Sequence, residues 1–190
     1  MSYVTDSFDD EIVNLLQQGR AGLLPTDTIY GISALAMDES AVERIHKIKA
    51  RDSDKPLIVL ISDIKMLDLL SIPKEQAAIV KKYWPGPLSL EFQAPDSPPW
   101  LHRGLKHFAI RMPNDPGLLK LISGVGPIVS TSANLQGREP VKNVSEARET
   151  FGEQLDFYVD KGDLDNPPST LAIIKAGKLE VIRQGAVKID

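Results

Sequence analysis

Residues 40–61 read SAVERIHKIKARDSDKPLIVLI. Ser40 and Glu43 stand at capping-box spacing, and Val42, Ile45 and Ile48 share one helical face. After a charged turn, residues 57–61 form an unbroken apolar run, the pattern of a strand covered on both faces. A helix that leads into a doubly covered strand is the building unit of an α/β sheet protein.

The alternation continues on either side. Ser7 opens an earlier helix, with Asp10 at the capping-box position and Phe8, Ile12, Leu15 and Leu16 at helical spacing. Residues 21–24 read as a strand stopped by Pro25, and residues 30–36 as a small, apolar one. Two short helices, 64–70 and 74–83, precede strands at 88–92 and 108–112. Pro95, Pro98 and Pro99 mark a surface loop, and Pro116 suits the first turn of a helix over 116–122. Residues 128–130 read as a strand and 144–151 as a helix with Ser145 near its start. Late strands follow at 157–159, 171–174 and 181–183. Short strands interleaved with helices predict one α/β domain over residues 1–190, built on a mixed sheet, with no second domain.

Composition narrows the function classes. The 190 residues are 42% hydrophobic and 25% charged, ordinary for a globular chain. A net charge of −4 supplies no global basic field for nucleic acid or an anionic membrane, though it leaves room for a local patch. With no cysteine, disulfides and thiolate metal sites are excluded. The three histidines, His46, His102 and His107, lack ligand spacing, so no metal site is expected from them. No apolar run approaches the roughly 20 residues of a membrane span. Met1-Ser2-Tyr3 followed by acids is not a signal peptide, and a cytoplasmic location is expected.

In α/β sheets, ligands sit in the crevice beyond strand ends, so the polar residues that follow strands carry the most information. In PTDTIYG, residues 25–31, two threonines flank Asp27, which serves either a Ser/Thr turn or a ligand loop. In KIKARDSDKP, residues 47–56, Lys49, Arg51 and Lys55 lie between a helix and a central strand. Cations there complement the helix dipole, and the same three can converge on an anion, of which phosphate is the usual one. In FAIRMP, residues 108–113, Arg111 ends an apolar strand. Alternation would turn it to solvent, whereas a guanidinium at a strand end also suits a two-pronged contact with a carboxylate. In GVGPIVSTSANLQG, residues 124–137, the strand runs into serine, threonine, serine, alanine and asparagine without a bulky side chain. That is an ordinary turn or a backbone held open for a ligand. Finally, Ser169 and Thr170 begin a strand in PPSTLAIIK, and Arg183 ends the last one in VIRQGA. Neither Gly-x-x-x-x-Gly-Lys-Ser/Thr nor Gly-x-Gly-x-x-Gly occurs, and no histidine is singled out for a Ser–His–Asp arrangement.

Taken in order, PTDTIYG, Lys49-Ala50-Arg51, WPGPLSL, FAIRMP, STSAN, PSTLAII and IRQGA resemble the YrdC-like family, over about residues 22–186. The resemblance implies a YrdC/RibB-like fold: a twisted, open, mixed β-sheet flanked by helices, with a concave basic cavity. It implies an ATP-dependent nucleotidyltransferase, an L-threonylcarbamoyladenylate synthase. Such an enzyme condenses L-threonine, bicarbonate and ATP, with Mg2+, into threonylcarbamoyl-AMP and pyrophosphate. The product serves t6A modification at adenosine 37 of tRNA through a downstream threonylcarbamoyl-transfer complex, with at most a weak contact to tRNA and none to a membrane. The length is that of the short bacterial form, without a C-terminal extra domain.

Position by position, Lys49, Arg51, Lys55, Ser132, Asn134 and Arg183 fall on the family's ATP-contacting pattern, with Lys49, Arg51, Ser132 and Asn134 taken as catalytic. Thr28, Arg111, Ser130 and Ser169 fall on its threonine-contacting pattern. Three residues depart from it. Asp52 stands where a proline commonly follows the arginine, Leu60 where longer relatives often place a histidine, and His107 where a small hydroxyl residue is more common. The alternatives are an RNA-binding or ribosome-maturation factor that uses the basic cavity, and a paralogue of the fold with altered activity. The acidic net charge speaks against the first, and the intact Lys-x-Arg and Ser-x-Asn pair against the second.

Overall fold

The computed structural model describes residues 1–49 and 55–189. The helix announced by the opening stretch is present, but its cap lies two residues before Ser40. Helix α2 is Glu39–Ile48, and the Asp38 carboxylate accepts a hydrogen bond from the Ala41 backbone. Helix α1, Asp10–Gln17, is likewise capped by Asp9 rather than opened by Ser7: Asp9 Oδ1 accepts from Ile12 N at 3.1 Å. In both cases a carboxylate adds its charge to the cap hydrogen bond at the positive end of the helix. The proline-rich stretch also departs from expectation, because Pro99 starts a one-turn helix, α3, Pro99–His102. Helix α4, Pro116–Val125, runs three residues past its expected end, until Gly126 takes a φ of +93°. Helix α5 is Val144–Phe151, capped by Asn143. The two short helices expected at 64–70 and 74–83 are 3₁₀ turns, Ile64–Leu70 and Lys74–Val80.

The described residues hold ten strands, the nine ranges read from the sequence and one more near the N-terminus. They are β1 Tyr3–Thr5, β2 Gly22–Leu24, β3 Gly31–Leu35, β4 Ile58–Leu60, β5 Leu88–Gln93, β6 His107–Arg111, β7 Ile128–Ser132, β8 Phe157–Val159, β9 Thr170–Lys175 and β10 Lys178–Arg183. All belong to one sheet in the order β1-β8-β2-β3-β7-β4-β6-β5-β9-β10. Parallel pairs (β1 with β8, β8 with β2, β4 with β6, β5 with β9) stand beside antiparallel ones, so the sheet is mixed as expected.

Because side chains alternate along a strand, the sheet feeds two cores. Leu23, Ile32, Val59, Ile110 and Val129 point into the larger one, with Val42 and Ile45 of α2 and with Leu67 and Leu70. Leu24, Leu60, Ile128 and Phe157 point the other way, against Ile12 and Leu16 of α1 and Leu118, Leu121 and Ile122 of α4. On that second face the register carries the row onward past Leu60 to Arg111, Ala109, Glu91 and Leu171. There the sheet borders a cavity instead of a helix layer. The apolar run 57–61 is therefore covered on both faces only in part. Val59 and Leu60 each enter a core, while Ile58 is half-buried and lines the cavity.

Candidate functional site

The cavity has a volume of about 320 Å3 and lies on the sheet face, not in a crevice beyond the strand ends. Its position follows from register. Leu60 pairs with Arg111, Ile58 with Ser130, Glu91 with Ala109 and Leu171 with Arg183, and paired residues share a face. Strand-end polar groups thus meet over the middle of the sheet. Thr28, Lys55, Arg111, Ser130, Ser132, Ser169 and Arg183 all line this one cavity. Lys49 and Asn134 stand behind Ser132, and Arg51 lies outside the described residues, as does Asp52.

Arg111 does not face solvent. It is 5% exposed, and its donors are held by three acceptors from two separate segments. Its Nε donates to the Gly86 carbonyl at 3.2 Å, Nη1 to Thr28 Oγ1 at 3.1 Å, and Nη2 to the carboxylate of Asp27. WPGPLSL and PTDTIYG therefore have a shared local task, which is to hold the fork of FAIRMP. Burial pulls the Arg111 guanidinium below the ordinary arginine value, while the Asp27 carboxylate pulls it back up. Thr26 fulfils the turn reading of its motif, since its hydroxyl meets Thr28 Oγ1 at 3.0 Å and donates to the Ile29 carbonyl at 2.8 Å.

The β7 end is organised around Ser132. Its hydroxyl donates to Asn134 Oδ1 at 2.6 Å, and Lys49 Nζ donates to the Ser132 carbonyl and, at 3.1 Å, to the same Asn134 oxygen. Asn134 Nδ2 donates to the carbonyls of Leu135 and Arg138, at 3.0 and 2.7 Å. Asn134 thus ties the loop together, and Lys49, 3% exposed, is sealed in behind it. On the cavity side, Ser130 Oγ accepts from Ser33 Oγ at 3.1 Å. Gly31 makes room for that hydroxyl, because a Cβ there would stand 2.3 Å from Ser130 Oγ.

At the far side, Ser169 Oγ lies 2.9 Å from Ser89 Oγ, and Arg183 Nη2 donates to the Ser169 carbonyl at 2.9 Å. Burial pulls the Arg183 guanidinium below its ordinary value. Gly185 allows this crossing, since a Cβ would come within 2.2 Å of the Pro168 carbonyl. Sequence reasoning missed Ser89 and Glu91, which share the cavity face of β5, and left Asp27 without a partner. The available signal was parity: once Arg111 is placed inward, the pairing of β5 with β6 turns Ser89 and Glu91 inward too. The Glu91 carboxylate meets His107 Nδ1 at 3.1 Å, and both residues line the cavity. His107 and Leu60, two departures from the family pattern, are therefore both wall residues.

The profile of the Sua5–YciO–YrdC family, described as "Telomere recombination", matches residues 14–185. The chain belongs to this family. Among Sua5–YciO–YrdC relatives, the threonylcarbamoyl-AMP synthase of Pseudoalteromonas translucida is 34% identical over 174 residues, which is 88% of this chain and 93% of that protein. The threonylcarbamoyl-AMP synthase of Pyrococcus abyssi is 36% identical over 152 residues, which is 78% of this chain and 45% of that protein. The chain thus spans about half the length of this relative. The crystal structure of P. abyssi Sua5 complexed with L-threonine superposes with a TM-score of 0.86 at 30% identity, covering 97% of this chain and 57% of that one. Similarity at this level supports a nucleotidyltransferase-like activity within the Sua5–YciO–YrdC family.

Proposed function

We propose that the protein is an L-threonylcarbamoyladenylate synthase, forming threonylcarbamoyl-AMP and pyrophosphate from L-threonine, bicarbonate and ATP as its magnesium complex. The observation that carries this reading is the shared cavity. A guanidinium fork on Arg111 and the hydroxyls of Thr28, Ser130 and Ser169 open into the same space as Lys55, Ser132 and Arg183. An amino acid has a place at the first group and a nucleotide at the second. Relatives that are threonylcarbamoyl-AMP synthases, and a P. abyssi Sua5 that binds L-threonine, support a site for both kinds of ligand.

The chemistry suits these residue types. The threonine ammonium and bicarbonate give a carbamate, one water and one proton. A carbamate oxygen then attacks the α-phosphorus, and the bond to the β-phosphate oxygen breaks to release pyrophosphate. Arg111 holds the amino acid by its carboxylate, so that the amine is presented in one orientation. Lys55 in the cavity wall and Lys49 from behind Ser132, with Arg51 of the same sequence motif, stabilise the negative charge that gathers on phosphoryl oxygens. A cavity recessed into the sheet face limits the access of water to a labile carbamate. No protein nucleophile is needed. The product then passes to a threonylcarbamoyl-transfer complex for t6A modification of tRNA in the cytoplasm.

The test is pyrophosphate release with ATP, threonine and bicarbonate, each omitted in turn. Release should require all three. Undiminished release without threonine, or without bicarbonate in a carbonate-free buffer, would overturn the assignment.

A further inference from the structure

The Glu91–His107 pair has no task in the reaction just described, and among the described residues it is the place where a carboxylate enters a cavity otherwise lined by cations, hydroxyls and apolar groups. It sits on β5 and β6, with Glu91 Oε2 3.1 Å from His107 Nδ1 and both side chains partly open to the cavity. The following argument rests on the proposed function. A carboxylate repels phosphates and the carboxylate of an amino acid, so it must face another part of the ligands. Arg111, the partner of the threonine carboxylate, stands four residues along β6 from His107, about 13 Å at strand spacing. Glu91 leans to the His107 side, away from Arg111. The threonine amine, two bonds from its own carboxylate, is therefore on the wrong side for Glu91.

The triphosphate is directed elsewhere as well. Ser132 lies on β7, with Lys49 beside it, and β7 is separated from β5 by β4 and β6, about 14 Å across the sheet. The α-phosphorus must reach the carbamate near Arg111, and pyrophosphate must leave toward Lys55 and Ser132, in front of Lys49. Only the nucleoside arm remains for the third corner. That corner offers the apolar surface of Leu105 and Leu171 and, at its polar edge, the Glu91 carboxylate. Arg183 lines the same side of the cavity. We propose that Glu91, held in place by His107, accepts hydrogen bonds from the ribose hydroxyls of the nucleotide and makes the site selective for a ribonucleotide.

Titration calorimetry on the whole protein tests this without turnover. The ligands are ATP, 2′-deoxy-ATP, 3′-deoxy-ATP, inosine triphosphate, inorganic triphosphate and threonine. The wild type should bind ATP roughly tenfold more tightly than at least one of the deoxy forms, the usual size of a charge-assisted hydrogen bond. Glu91→Gln should shrink that preference severalfold and leave inorganic triphosphate and threonine unchanged. His107→Gln should shrink it in the same direction, which keeps the test valid if one variant fails to fold. The proposal is overturned if the wild type does not distinguish ATP from either deoxy form. It is also overturned if Glu91→Gln weakens inorganic triphosphate or threonine as much as ATP. A preference that lies against inosine triphosphate alone would move the contact to the base and overturn the ribose assignment. A wild type that shows the ribose preference but releases no pyrophosphate would overturn the proposed reaction and leave this contact standing.

Discussion

At Arg111, three of the five N–H donors of a guanidinium are given to Gly86, Thr28 and Asp27, which leaves two for a ligand. Two donors are what a carboxylate needs for a forked contact. Arg111→Lys keeps the charge but cannot satisfy Gly86, Thr28, Asp27 and a ligand with three donors on one nitrogen. The threonine concentration for half-maximal rate should rise at least about tenfold, the worth of one charge-assisted hydrogen bond, while that of ATP changes little. The melting temperature should also fall, because Asp27, whose side chain is 11% exposed, would lose its closest partner. Unchanged threonine dependence would remove Arg111 from the substrate side. Lys49 calls for a different expectation, since its Nζ also holds the Ser132 carbonyl and the Asn134 side chain. Lys49→Ala should slow adenylate formation by about a hundredfold, the loss of roughly 3 kcal/mol at a developing phosphoryl charge. It should lower stability in the same preparation, because a sealed-in cation cannot be removed without loosening the end of β7 and the turn to Asn134. A variant as stable as the wild type and as active would show that Lys49 does neither.

At the scale of elements, the caps carry the clearest consequence. Burial works to raise the Asp9 carboxyl, but hydrogen bonds from the Ile12 backbone and from the hydroxyls of Tyr3 and Thr5 outweigh it and hold it below the usual carboxylate range. A carboxyl lowered in the fold contributes stability above its unfolded value, and that contribution is lost as the pH falls through the lowered one. Asp9→Ala should therefore cost about 1 kcal/mol at neutral pH, the usual worth of an N-cap, and the difference from wild type should narrow toward pH 3. Urea midpoints at the two pH values check it, and a constant difference would mean that the carboxylate charge is irrelevant. Caps of this kind were half legible in the sequence. The stripe of Val42, Ile45 and Ile48 located α2, but Ser40 and Asp38 compete for the same role, and periodicity alone does not choose between them. β1 escaped because three residues carry little pattern and its partner, β8, lies some 150 residues away. The polar residues of the site were legible as strand-end motifs. Their meeting point was not, since it depends on which strands are neighbours. The pairing of Leu60 with Arg111, and of Glu91 with Ala109, places the cavity on the sheet face. Glu91 went unnoticed for the same reason, as one charged residue in a strand read only for its apolar members.

For the molecule as a whole, α1 and α4 cover one part of a sheet face and leave the rest to line the cavity, so the covered part bears on whether the site exists at all. β8 lies between β1 and β2 near that covered end. Its Tyr158 is fully buried and donates to the Gly152 carbonyl at 2.6 Å. Burial pushes the Tyr158 phenol up to about 12. An unfolded tyrosine ionises near 10, so the fold holds a proton that the open chain releases. The contribution of Tyr158 is complete below about pH 10 and is lost as the pH rises toward 12, a total of about 2–3 kcal/mol for a shift of this size. Tyr30, buried in the larger core and donating to the Gly162 carbonyl at 2.9 Å, is raised in the same direction. Tyr158→Phe separates the two roles of the hydroxyl. At neutral pH the variant should be less stable by about 1 kcal/mol, because the Gly152 carbonyl loses its donor. Between pH 10 and 11 the wild type should lose stability faster than the variant, since the phenylalanine has no proton to release. The curves of unfolding free energy against pH should therefore converge and then approach or cross. Urea titrations at pH 7, 9, 10 and 11 on both proteins measure this directly, and parallel curves over that range would exclude Tyr158 as a source of alkaline unfolding.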